Sequence, residues 1–186
     1  MRRALRRLRR TAIAVGAVIA VAVAAGIPVY VLPAVDPVPE HVDAVYVLGP
    51  PTRARTDLGR RLVAEGVADT LLISVWPSDL DAPPGEKDVV ACDEPGMRVI
   101  CFSADPRTTQ GEARDLAEYA RSNGWDSVAV ITQTPHITRA RVLLERCWSG
   151  ELSMLSSGEP HTLGEWAYEY VYQTGAFAKV LAQQEC

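Results

Sequence analysis

His136 and Arg139 stand three residues apart in the run VITQTPHITRA at 130–140, a spacing that puts both side chains on one helix face. An imidazole titrates near neutrality and suits general acid/base work, and a guanidinium can grip a carboxylate or phosphate through two parallel N–H groups. Glu112, in the first turn of another helical stretch, is either the acid that works with His136 or one favoured there by the helix dipole. His136 and Glu112 are therefore the catalytic candidates. Arg55, Thr109, Thr132, Thr134 and Arg139 are the ligand-binding candidates, two cations for an anion and three hydroxyls to orient it. Plainer readings stand beside these: an Arg139–Glu112 ion pair, Arg55 in a surface pair, and threonines that simply end strands. Trp76 lies where it could stack on a ligand, whereas His41 and His161 have no companions. Asp79 and Asp81 sit in a Pro-rich stretch where acids are usually solvated, and no Cys/His spacing fits zinc. No metal and no cofactor is expected.

These side chains can meet only if several strands deliver their trailing loops to one edge. The pattern predicts that arrangement. Residues 43–49 (DAVYVLG), 70–75 (TLLISV), 97–102 (MRVICF) and 127–132 (SVAVIT) are short β-branched-rich runs, and 152–155 is a weaker fifth strand. Between and after them, 52–66, 109–123, 136–147 and 162–183 have helical spacing, with Gly66 and Gly124 as stops. Residues 77–94 are polar and Pro-rich and hold at most a turn or two of helix. Alternating strands and helices predict an α/β fold: a Rossmann-like three-layer sandwich with a mainly parallel sheet of about five strands. Ligands in such sheets bind beyond the carboxyl ends of the strands. Those ends carry Arg53, Arg55, Arg107, Thr108, Thr109, Thr132, Thr134, His136 and Arg139, beside helix N-termini whose free N–H groups favour anions.

The chain begins differently. Residues 1–10 carry six arginines and no acid, and residues 11–35 carry no charge. A bilayer core needs roughly 20 apolar residues in a helix, so this uncharged run predicts one transmembrane helix. The arginines on its leading side predict a cytoplasmic N-terminus and an extracytoplasmic C-terminal domain in the cell membrane. A retained signal-anchor and a cleaved signal peptide both fit. Ala22, Ala24 and Ala25 offer a cleavage site, but the apolar run continues through Ile27 to Leu32 with Tyr30 as an interfacial aromatic, which favours the anchor. Residues 36–42, with Pro37 and Pro39, form a linker, and 43–186 form one domain.

The net charge is −4, and removing the six arginines of the head leaves about −10 for the rest. That balance disfavours nucleic acid, and none is expected as a partner. In an oxidising compartment the four cysteines favour disulfides over free thiols. Three pairings are open. Cys92–Cys101, closing a turn at Pro95 and Gly96, and Cys147–Cys186, tying the C-terminus to a helix end, are favoured.

Three blocks together resemble the YdcF-like family, which includes the SanA and ElyC branches. They are DAVYVLG at 43–49 followed by Arg55 and Gly66, the helix start from Thr109 to Ala113, and VITQTPHITRA at 130–140. The resemblance implies a Rossmann-like fold and, for the SanA and ElyC branches, a membrane anchor and a role in envelope or peptidoglycan integrity. It also implies a lipid-linked or phosphorylated cell-wall intermediate as partner, and Arg55, Thr109, Glu112, Thr132, His136 and Arg139 as the matching polar positions. The chain departs from the family where a Gly-rich turn usually follows the first strand. Here Pro50 and Pro51 follow Gly49, and proline has no N–H to offer a phosphate. Ser74-Val75-Trp76-Pro77 replaces a Ser-Gly-Gly turn, and Glu86 is the remnant of an acidic helix. The S-adenosylmethionine binding associated with the YdcF branch is disfavoured without that turn. A non-catalytic envelope scaffold is the alternative to a ligand-processing domain.

Overall fold

The computed structural model describes residues 2–81, 92 and 94–186. Glu86 lies outside the described residues. Among those described, five strands form one all-parallel sheet in the order β3-β2-β1-β4-β5. The strands are β1 (Ala44–Val47), β2 (Thr70–Ser74), β3 (Arg98–Phe102), β4 (Ser127–Thr132) and β5 (Glu151–Ser156). β1 is central, with Val45 opposite Leu71 of β2 and Ala129 of β4.

Period-two alternation assigns side chains to the two faces. Ala44, Tyr46, Leu48, Val128 and Val130 face α4 (Thr109–Asn123) and α5 (Ile137–Cys147), which contribute Ala113, Leu116, Ala120, Ile137, Ala140 and Leu144. Val45, Val47, Leu71, Ile73 and Ile131 face the other way, toward Leu62 of α2 (Arg53–Ala64). Helices thus cover both sides of the sheet. The polar 77–94 stretch opens with a single short helix, α3 (Pro77–Asp81).

Local chemistry sets the helix ends. Thr52 caps α2 by accepting the Arg55 N–H, and Thr108 caps α4 by accepting the Gly111 N–H. Gly124 ends α4 with φ +71°, a left-handed conformation that favours glycine. At the last helix, α6 (Leu163–Ala182), Thr162 and Glu165 satisfy each other's backbone N–H groups in a capping box.

The N-terminal helix α1 (Arg2–Gly26) runs into a π-helical turn, Ile27–Val31. Over Arg6–Val31 it is long and apolar enough to cross a membrane, and its apolar side chains are exposed as far as Ile27. A disulfide joins Cys92 to Cys101 and another joins Cys147 to Cys186. Both fit an extracytoplasmic domain. The linker is fastened: Asp36 pairs with Arg141 at 2.7 Å and accepts the Met154 N–H.

Candidate functional site

Chain direction across the sheet reverses between β1 and β4, so the loops beyond those two strands diverge and leave a crevice. A cleft of about 570 Å³ lies there. The ends of β1 and β2, the start of α4, the β4–α5 connection and one side of α6 line it.

Glu112 sits at its floor. The first turn of α4 sends this carboxyl inward across the end of β1, where Oε1 accepts the Gly49 N–H at 2.7 Å. Burial pushes its pKa up to about 7, although the Gly49 N–H, the Ser74 hydroxyl and the Arg139 and Arg55 charges all favour the anion. Gly49 suits this close approach, since a Cβ there would lie 3.0 Å from Ser74 atoms and 3.2 Å from Glu112 Oε1 and crowd both.

His136 occupies the short 3₁₀ turn Thr134–His136 that leads into α5. Its Nδ1 lies 2.9 Å from the Thr132 hydroxyl, and its Nε2 lies 3.3 Å from the Thr109 hydroxyl. Burial, then the positive charges of Arg139 and Arg55, depresses the imidazole well below its ordinary range. The ring is therefore neutral at pH 7, one nitrogen donating and the other accepting. The sequence pointed to an imidazole titrating near neutrality; here the carboxyl does so instead, because burial disfavours the charged form of both groups.

Arg139 donates from Nε to Gln173 Oε1 at 2.9 Å and from Nη1 to the Thr109 hydroxyl at 3.3 Å, and its guanidinium stands 5.9 Å from the Tyr172 ring centre. It makes no ion pair with Glu112 among the described residues. Thr109 thus joins His136 and Arg139 through one hydroxyl.

Arg55 is buried at the cleft wall, where Nε pairs with Glu159 at 2.9 Å and Nη1 donates to the Pro50 carbonyl. Burial acts to raise the Glu159 pKa, but hydrogen bonds from Ser157 and Thr52 and the Arg55 charge hold it below its ordinary value. This pair brings together residues 104 apart in sequence.

The cleft therefore gathers Glu112, His136, Thr109, Arg139 and Arg55. Thr132 is fully buried behind the imidazole and positions it from outside the lining. Thr134 is placed elsewhere: its hydroxyl meets Ser156 at 2.7 Å, toward the β5 side. Glu112 is hydrogen-bonded to the β1 turn and makes no hydrogen bond to His136 among the described residues. Sequence reasoning missed Gln133, Tyr172, Gln173 and Lys179 in the lining and Glu159 behind Arg55. Glu159 follows a positive-φ glycine, Gly158, at a strand end, the one local sign that a site residue could lie there.

Cations dominate the lining. Arg107, stacked 5.2 Å from the Trp76 ring centre, and Lys179 make no ion pair among the described residues, and Glu112 is partly protonated at neutral pH. An anion fits that field, with a proton available from the carboxyl on the floor. Comparison with family models, curated proteins and solved structures gives no match to this chain.

Proposed function

We propose that the chain is a membrane-anchored extracytoplasmic protein of the YdcF-like kind, and that its cleft binds a phosphorylated or other anionic ligand. One observation carries this reading. In a domain with an acidic balance, Arg107, Arg139 and Lys179 converge on one cleft without forming an ion pair among the described residues. Arg139 is already oriented by Gln173 and Thr109, and its Nη2 has no hydrogen-bond partner among the described residues. A phosphate oxygen would take that position at little further ordering cost.

Glu112 is the residue suited to hold and deliver a proton near pH 7, while neutral His136 fixes the Thr109 hydroxyl that faces the ligand. The resemblance at 43–49, 109–113 and 130–140 supports a role in envelope or peptidoglycan metabolism, with a lipid-linked or phosphorylated cell-wall intermediate as ligand. The apolar helix and the two disulfides support placement on the extracytoplasmic side of the cell membrane, and the arginines before the helix support a cytoplasmic N-terminus.

Titration calorimetry of the full chain in detergent, with short-chain polyprenyl phosphate and simple phosphate monoesters, tests the proposal. Saturable binding that weakens at least tenfold in Arg139→Ala is expected, a loss of about 1.4 kcal/mol or more. Absence of binding to every phosphate-bearing ligand would overturn it. One feature favours the second reading, a non-catalytic envelope scaffold: the turn after β1 offers no main-chain donor, since Gly49 N–H serves Glu112 and two prolines follow.

A further inference from the structure

The helix α6 has an outer face that does not suit water. At positions 168, 171, 172, 175, 178 and 181 it presents Tyr168, Val171, Tyr172, Gly175, Ala178 and Leu181, all exposed, with exposed Lys179 the one charge within that arc and Glu165 at its start. Val171 is 77% exposed, Tyr168 64% and Leu181 64%. Helices that face water normally carry charge on that side. Here the charged residues of α6 are Glu165, Glu169 and Lys179, and Glu169 is turned inward to Gln133 and Gln173.

One edge of that face meets α1. Tyr170 donates from its hydroxyl to the Val23 carbonyl at 3.2 Å and sets its ring edge-on to Tyr30 at 5.3 Å. Thr174 meets the Tyr30 hydroxyl at 3.2 Å, and a Cβ at Gly26 would run into the Tyr170 ring. These contacts fall on the apolar segment itself. If Arg9 and Arg10 stay at one headgroup layer, about 20 residues at 1.5 Å each carry the helix through the hydrocarbon to about Tyr30. Val23 then lies roughly 10 Å inside the other boundary. An element bonded to Val23 and packed on Gly26 cannot stand clear of the lipid.

We propose that α6 is a second membrane contact, its largely apolar outer face seated in the bilayer interface from which α1 emerges. The tyrosines suit that layer, where an apolar ring and a wet hydroxyl are both accommodated, and Lys179 can reach lipid phosphates from the edge. Tyr172 and Lys179 also line the cleft, so its mouth opens at headgroup level. The inference rests on the anchor reading of α1.

Single reporter cysteines in the full chain, reconstituted in phosphatidylglycerol/phosphatidylcholine vesicles, separate the two. The native cysteines are paired in disulfides and do not take label. An environment-sensitive fluorophore is placed at Ile19→Cys in α1, at Val171→Cys in α6, and at Ser122→Cys on the exposed end of α4. Quenching is read with nitroxide-bearing lipids and with aqueous iodide. Lipid quenching at 19 and at 171, several-fold above that at 122, is the expected result. Lipid quenching at 19 with position 171 as iodide-accessible as 122 overturns the α6 contact and leaves the anchor standing. Position 171 shielded from both quenchers also overturns it, because a protein surface then covers the helix. No lipid quenching at 19 removes the anchor and the inference together.

Discussion

Burial lifts the Glu112 carboxyl from 4.5 to about 7, so across that interval the folded chain keeps a proton that the unfolded chain has released. This carboxyl costs nothing below pH 4.5, its contribution becomes less favourable as pH rises toward 7, and above 7 the deficit is complete at about 3 kcal/mol. Glu112→Gln is therefore expected to gain on the parent as pH is raised from 5 to 8, measured as the difference in urea unfolding free energy at the two values. A pH-independent difference would refute the buried, raised carboxyl. A second residue-level test concerns the imidazole. Thr132→Val keeps the shape but leaves His136 Nδ1 without its 2.9 Å partner, and is expected to cost about 1–3 kcal/mol. Thr134→Val, at a half-buried position, should cost less in the same assay. The strand-end logic places His136, Arg139, Thr109 and Arg55 near one edge from sequence alone, while Glu112 stands out only as a first-turn acid. It could not see that Arg55 meets Glu159 or that Arg139 meets Gln173, because those partners lie on segments whose docking leaves no periodic mark.

The elements were more legible than the contacts between them. Helix α4 spans Thr109–Asn123 as its apolar spacing indicates, because Thr108 supplies the cap and Gly124 the left-handed stop. The first four strands are recognisable from β-branched runs, whereas β5 (ELSMLS) has no β-branched residue and reads weakly; full burial on both faces explains why β1 reads as continuous apolar sequence. What periodicity could not show is that α6, which reads as an apolar helix, docks on α5 and becomes a wall of the cleft. Gly111 offers an element-level prediction. A Cβ there would overlap the Pro106 carbonyl oxygen, so Gly111→Ala must push the β3–α4 loop away from the first turn of α4. Overpacking of this kind costs about 1–3 kcal/mol, and the displaced loop carries Arg107. Loss of stability in urea together with weaker phosphate binding is expected, and a variant matching the parent in both would argue against this tight junction.

At the scale of the molecule, the Cys147–Cys186 bridge closes a loop of sequence separation 39 that includes β5 and α6. It therefore holds the last helix, and with it the cleft wall at Val180 and Gln183, against α5. Replacing both cysteines by alanine is expected to cost about 2–5 kcal/mol. Limited proteolysis should then cut first near the C-terminus, and an unchanged cleavage pattern would show that packing alone holds α6. The turn after β1 has a separate consequence. Its one amide is committed to Glu112 and its next two residues have none, so recognition at this turn is delegated to side chains. Side chains are exchangeable parts. A change at Arg107, Gln133 or Lys179 can retune which anion is accepted without rebuilding a loop, leaving chemical preference free to drift while the sheet beneath stays constant.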